Sequence, residues 1–378
     1  MIEQPSRIGI IFFIVLLSLH AYGQSLTYRP GHGIRIASSD NQWSLRTLGY
    51  IQSTFTYLPE QQNGVVSNEF FIRRARLDII FDYLDKYQVF FELDGRGNRT
   101  ELVLAQVEFE YARNHSILAG KFITPFSPEN NRSSRELSTV ERYSALNSLF
   151  LLPTLDTQYG IMISGTPGSY EYYLSVTNGN GKASDNIREN NNAKDIQARV
   201  VREFSSAVQA GLAFHYSREQ IQTLSLYSHT FHPFNSARIS GGRIGWLLDF
   251  EYQRAAVFVR GEGYQYRYQN PLSPQQQVRY FRGGYGEVGY FLFGDRTEGF
   301  QLIGRYEQAA YIRVHASLRG PRFLHSFILG HNWYKDGIFR LQTNFVYDVA
   351  DQTSVIPESR FEGKHNTMDV LMMLQIKF

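Results

Sequence analysis

The sequence predicts an all-β chain, specifically a transmembrane antiparallel β-barrel of about 16 strands with a long loop folded into its lumen. Three observations carry this expectation. Helical periodicity is nearly absent, and apolar and polar residues alternate with period two in segments of about eight to twelve residues. Aromatics make up 15% of the 378 residues, with 28 Phe and 25 Tyr, many near segment ends. The chain opens on an export-like segment and closes on the alternating strand "DVLMMLQIKF", whose last residue is Phe378.

The elements follow in order. The apolar run Ile8–Leu19 is about a dozen residues long, short of the roughly 20 a spanning helix needs. Arg7 precedes it and "AYG" follows, so residues 1–23 read as a cleaved secretory signal peptide and 24–378 as the mature barrel. Removing that segment takes away Glu3 and Arg7, which leaves the net charge of +3 unchanged. So small a value, without a basic run, gives no reason to expect a nucleic-acid partner. Cys is absent, so stability must come from burial and from the sheet itself.

In the mature chain, Ala75, Leu77, Ile79, Phe81 and Tyr83 oppose Arg74, Arg76, Asp78 and Asp82. Arg73 falls on the apolar phase of that strand and reads as an arginine snorkelling at the membrane interface. The same pattern recurs in "YQVFFELD", "VLAQVEFEY" and from Val208, Ile244 and Phe339 onward. Two connections are long. Residues 124–149, which carry Glu129, Arg132, Arg135, Glu136, Glu141 and Arg142, read as a loop able to enter and narrow a lumen. Residues 178–194 are polar and of low complexity and read as an external loop.

Alternation alone fits a soluble sandwich as well as a barrel. The membrane barrel is favoured by strands near the 9–11 residues that cross a bilayer with tilt, by aromatics at strand ends, by the export signal and by a final strand able to close the sheet. The 355 mature residues (378 − 23), at about 22 per strand and connection, give roughly 16 strands and an interior too wide for side chains to fill. Diffusion channel is the class this predicts, in the outer membrane of a Gram-negative bacterium.

Enzyme motifs are weak. "GYGEVG" completes a G-x-G-x-x-G pattern but leads into a strand, so its dinucleotide reading fails. His229 and His232 read as a loop pair and not a metal site, and neither a cofactor nor a metal is expected. Two alternatives remain: a barrel hydrolase using a histidine such as His215 or His331, and a non-conducting structural or adhesive barrel.

Several stretches resemble the phosphate-selective porin O and P family of outer-membrane channels. "FFIRRARLDIIFDYLDKYQVFFELD" is similar to its early strand and hairpin, and "LAGKFITPFSPEN" with "LSTVERYSALNSL" to its strand-to-loop motif. "QYGIMISGTPGSYEYYLSVTNGNG", "LGHNWYKDGIFRLQTNFVYDV" and "LMMLQIKF" are similar to later hairpins and strands, so the resemblance spans about residues 68–378. It implies a 16-stranded barrel, usually trimeric, with the third loop in the pore and an anion-conducting ladder of Arg and Lys. It also implies that Phe378 is read by the barrel-insertion machinery.

Candidate pore residues follow. Arg74 and Arg76 either line the lumen or neutralise lipopolysaccharide phosphates at the rim, and Lys121, alternating with Phe122, is expected to face the lumen. Arg132, Arg135, Glu141 and Arg142 either form the constriction or tie the loop to the wall. Arg199, Arg243, Arg260, Arg305 and Arg340 are candidate basic rungs, but acids such as Asp78, Glu92, Asp249, Glu262, Glu287 and Glu307 share their phase. Mixed signs predict a general or weakly selective pore for small solutes or ions, since a phosphate ladder needs uninterrupted positive potential within a Debye length of about 8–10 Å.

Overall fold

A computed structural model describes residues 24–59, 68–150, 157–179, 192–227, 233–268, 278–314, 322–353, 361 and 363–378. The expected signal peptide and the pair His229 and His232 lie outside the described residues, as does most of the expected external loop.

A hairpin of β1 (Ser25–Arg29) and β2 (Gly33–Ala37) comes first, followed by β3 (Trp43–Tyr57), β4 (Asn68–Tyr83), β5 (Tyr87–Asp94) and β6 (Glu101–Ala112). Next are β7 (His115–Ile123), β8 (Thr157–Gly165), β9 (Tyr170–Thr177), β10 (Asp195–Ser205), β11 (Val208–Tyr227) and β12 (Pro233–Arg254). The chain ends with β13 (Val257–Tyr268), β14 (Val278–Gly294), β15 (Gly299–Val314), β16 (Phe323–Lys335), β17 (Phe339–Ala350) and β18 (Asn366–Lys377). Of the 18 strands in the sheet, β3 to β18 (18 − 2 = 16) form the barrel, each antiparallel to its neighbour. The ring closes where β18 pairs with β3, from Val370↔Tyr57 to Lys377↔Tyr50.

The hairpin takes over where β18 stops. β2 pairs with the first residues of β3, Ile34↔Thr47 to Ala37↔Ser44, below the last β18 pair. Phe378 finishes the seam by exchanging two backbone hydrogen bonds of 2.9 Å with Gly49. A Cβ on Gly49 would lie 2.6 Å from the Phe378 ring, so the terminal aromatic needs a glycine beside it.

One end of the barrel has short turns and the other has long connections, the asymmetry of outer-membrane barrels, with the short turns periplasmic. Leu84 and Asp85, and Asp336 and Gly337, sit at positive φ in pairs, as two-residue hairpins that match the strand twist require. The outward phase is greasy and exposed, for example Leu212, Phe214, Trp246, Leu248 and Phe327. Toward the periplasmic end, ring pairs such as Trp43–Phe81, Tyr87–Phe109, Phe293–Phe300 and Trp333–Phe339 make the interfacial girdle.

The connection from β7 to β8, third of the long ones, turns into the barrel. It holds α1 (Pro128–Asn131), a 3-10 turn (Ser134–Glu136) and α2 (Ser144–Phe150). Ser127 caps α1 by accepting the Asn130 amide at 3.1 Å, and Pro128 opens the helix where no amide is needed.

Candidate functional site: a loop-lined lumen

The third loop lies against one part of the inner wall and dries it. Phe126, Tyr143, Ala145 and Leu146 pack with the inward Ala213, Leu247, Tyr264, Tyr266, Tyr268, Phe281, Tyr285 and Tyr311. Val140 packs with Ile328, Val346, Leu371 and Met373. A Cβ on Gly283 would stand 2.4 Å from that of Ala145, so glycine lets α2 approach β14. These inward aromatics were not legible as lumen residues, because alternation alone does not show that something apolar covers "YQYRY" from inside.

Ionic contacts lock the loop on the same side. Arg305 donates to both Glu129 carboxylate oxygens at 3.0 Å, to Glu287 at 2.6 Å and to Glu307 at 3.5 Å, with its side chain fully buried. Arg260 pairs with Glu287 at 2.7 Å and donates to Ser138, which itself donates to Glu287 at 2.6 Å. Glu262 accepts Ser127 Oγ at 2.6 Å, the Glu129 amide at 2.5 Å and the Tyr143 hydroxyl at 3.3 Å. Burial alone would raise the Glu129 carboxyl, but Arg305 and Arg260 overcome it and hold its pKa down to about 2. Backbone groups are used as well. Arg340 donates to the Leu137 carbonyl at 2.8 Å, Asn332 to that of Ser138 at 2.9 Å, and Asn344 accepts the Val140 amide at 2.7 Å.

Most of the arginines read as rungs are therefore corrected, whereas Arg199 still lines an open cavity in a pair with an acid. Arg199, Arg243, Arg260, Arg305 and Arg340 are all buried. Arg199 makes a two-pronged pair with Asp249 at 2.6 and 2.9 Å, and Arg243 donates to Ser217 at 2.8 Å with its guanidinium over the Tyr266 ring.

The predicted loop residues separate into two kinds. Arg142 is a staple within the loop, donating to the carbonyls of Glu129 at 3.0 Å, Asn130 at 3.4 Å and Arg132 at 2.9 Å. Glu141 is an anchor, taking both prongs of Arg73 at 2.5 and 2.9 Å. Arg132 and Arg135 keep more exposure and reach across to the wall, pairing with Glu251 at 2.8 Å and Asp78 at 3.5 Å.

Four wall residues differ from expectation. Arg73 is inside, not at the interface, because the register slips between Gln52↔Arg74 and Ser53↔Ile72. The extra residue of that bulge turns Arg73 toward the loop. Arg74 is inward but covered, donating to Gln52 at 2.8 Å. Lys121 shares its face with Ala105 and Tyr159, the outward phase, and donates to the Leu102 carbonyl at 2.6 Å. Phe122, expected outside, faces inward beneath the loop's root, where an apolar side chain is covered. Arg76 behaves as expected and is half-buried on the inner face, paired with Glu92 and, at 3.4 Å, with Asp94.

What stays open lies along β4 to β10 and reaches the edges of β2, β3, β11 and β12. A cavity of about 370 Å³ beside the loop is lined by Pro125, Pro128, Arg132, Met162, Glu171, Tyr173, Arg199, Gln209 and Glu251. Another of about 310 Å³ at the periplasmic mouth is lined by Arg35, Ser44, Asp82, Lys86, Gln88, Glu108, Glu110 and Ser116, among others. Neither histidine weighed for hydrolysis offers a reactive arrangement. His215 is fully buried with both ring nitrogens engaged, by Tyr266 at 2.9 Å and Asp195 at 3.2 Å, and His331 stacks on Phe300.

The family described as phosphate-selective porin O and P matches residues 46–378. No curated protein sequence matches the chain. Among solved structures, the chain is similar to the trimer form of the Vibrio cholerae outer-membrane protein OmpT, at 10% identity and TM-score 0.59, covering 89% of this chain and 99% of that one. It is also similar to the outer-membrane channel DcaP of Acinetobacter baumannii, at 10% identity and TM-score 0.59 over 90% and 99% of the two chains. Pseudomonas putida OprB matches at 9% identity and TM-score 0.60 over 90% and 95%. At such identities the likeness is one of fold.

Proposed function

The chain belongs to the phosphate-selective porin O and P family, making it an integral outer-membrane channel of a Gram-negative bacterium, and on that premise we propose a general or weakly selective pore for small hydrophilic solutes and ions. The observation that carries this is the pairing of lumen arginines with carboxylates. Arg76, Arg132, Arg135 and Arg199, which border the open part, each have an acid within salt-bridge distance. A dianion moving along that wall meets Asp82, Glu108, Glu110 and Glu171 beside paired arginines and the mouth's Arg35 and Lys86, so the positive potential is interrupted by carboxylates. Passive diffusion and not hydrolysis is the activity this supports, since His215 is fully buried, out of reach of water and substrate.

Assembly as a homotrimer, cleavage of residues 1–23, contact with lipopolysaccharide and reading of Phe378 by the insertion machinery complete the proposal; the first and last come from the family resemblance. Single-channel recording in planar bilayers tests the pore, with reversal potentials in KCl gradients and added phosphate. Steady conductance with a small reversal potential supports it. Strong anion selectivity with submillimolar phosphate block contradicts it.

A further inference from the structure

The outward wall changes character across β13 to β15. On β13 the outward phase runs Val257, Val259, Gly261, Gly263, Gln265, Arg267 from the periplasmic turn upward, and on β14 it runs Tyr290, Val288, Gly286, Gly284, Arg282, Tyr280. Arg267 lies ten residues above the strand start (267 − 257) and Arg282 twelve above Gly294 (294 − 282). At about 3.3 Å per residue and a tilt near 40°, that is roughly 25–30 Å, the height of the apolar band. Both arginines thus stand where the outer leaflet's headgroups begin.

The register puts them together. Arg267 opposes Tyr280 and Arg282 opposes Gln265, so the two are diagonal neighbours on one face, with side chains about 7–8 Å apart at their roots. Both are exposed, and among the described residues neither has an acidic partner. An uncompensated guanidinium pair at the edge of a hydrocarbon phase calls for an anion, and two planar forks at this spacing suit a phosphate.

Below them the wall is hollow. Gly263↔Gly284 and Gly261↔Gly286 make two successive outward pairs without side chains. Cβ atoms on Gly263 and Gly286 would meet nothing within 4 Å. Trp246, Leu248 and Phe250 rise on the β12 side and Tyr306 on the β15 side, and Val259 with Val288 closes the lower end. The result is a shallow apolar trench running down from a cationic head.

Resting on the outer-membrane placement and the proposed lipopolysaccharide contact, we infer that this face binds a phosphorylated glycolipid of the outer leaflet, lipid A in character, with one phosphate on Arg267 and Arg282 and an acyl chain lying in the glycine trench. The choice of occupant rests on charge and shape together. A second copy of this chain would have to supply an anionic group at the same height, whereas the surrounding leaflet supplies one everywhere.

The test uses the folded mature protein in non-ionic detergent and native mass spectrometry with bisphosphorylated lipid A. The Arg267→Gln/Arg282→Gln double variant is expected to bind at least tenfold more weakly, with unchanged heat-modifiable mobility on gels. Arg282→Lys keeps the charge but loses the fork, so an intermediate loss is expected even if the double variant folds poorly. Gly263→Leu fills the trench and should weaken lipid A without changing binding of glucosamine phosphate, which has no acyl chain. Dephosphorylated lipid A should bind the native protein as weakly as intact lipid A binds the double variant. Equal binding by all variants overturns the inference. So does displacement of lipid A by millimolar inorganic phosphate, or a change in oligomeric mass with lipid binding intact.

Discussion

The two sides of the inner wall obey different physics. On the side covered by the third loop, charged groups such as Arg305, Glu129, Glu287 and Glu307 are fully or nearly fully buried, with the Tyr285 ring against the Arg305 guanidinium. On the open side, from β4 to β10, Gln88, Gln106, Glu108, Glu110, Ser164 and Glu171 keep partial exposure and face water. Both sides carry inward polar residues at every second position, so the strand pattern alone does not separate them. The loop does, by converting part of a polar lumen into a protein core with a paired ionic centre.

The comparison is broken most severely at that centre. Arg305→Met would leave Glu129, Glu287 and Glu307 buried without their shared cation, at a cost of roughly 3–5 kcal/mol for removing one partner of a buried pair. The loop is expected to leave the wall, with larger single-channel conductance and passage of larger uncharged sugars in liposome swelling. Unchanged conductance in a correctly folded variant would mean that apolar packing alone holds the loop. Arg142→Ala removes a staple internal to the loop and leaves the wall contacts, so a smaller effect is expected. It should appear as noisier current at nearly normal mean conductance, and a mean shifted as far as in the Arg305 variant would count against the distinction.

On the open side the effects are electrostatic. Glu108→Lys with Glu110→Lys adds positive charge where water is present and should move the reversal potential toward anions by several millivolts, with thermal stability within about 0.5 kcal/mol of native. A stability loss as large as that of Arg305→Met would place these residues in the core and not the channel.

Acid is expected to do least. The Glu129 carboxyl is held near 2, below its ordinary 4.5, so its contribution is complete above 4.5 and is lost only as pH falls toward 2. Conductance titrated from pH 7 to pH 4 should show no step from loop release. A step between pH 4 and 5 would mean that Glu129 titrates as an ordinary carboxyl and is not held by Arg305.

Much of the fold was legible because a closed sheet in lipid leaves little freedom. Alternation, strand length and the terminal Phe378 gave the class, the length of the chain gave the strand number, and the length of the 124–149 connection together with the family resemblance gave the loop that enters the lumen. Individual sides were less legible. Arg73 was misassigned because a single bulge inverts phase, and nothing in "RRAR" marks which arginine is the extra one. Lys121 and Phe122 were exchanged because polar-in, apolar-out holds only where the lumen is wet, and at the loop's root it is dry. The partners of Arg305 lie 176 residues away at Glu129 and 18 away at Glu287, separations that no local pattern reports.

The central claim is that one side of the inner wall is sealed and the other carries solute. Because the chain contains no Cys, single introduced thiols report this directly. Ser116→Cys and Ser164→Cys on the open side are compared with Ser326→Cys and Asn332→Cys on the covered side, each treated with a charged, membrane-impermeant thiol reagent during current recording. Rapid modification with a fall in conductance is expected for the first two, and no reaction for the second two. Equal reaction rates at all four positions would contradict the account.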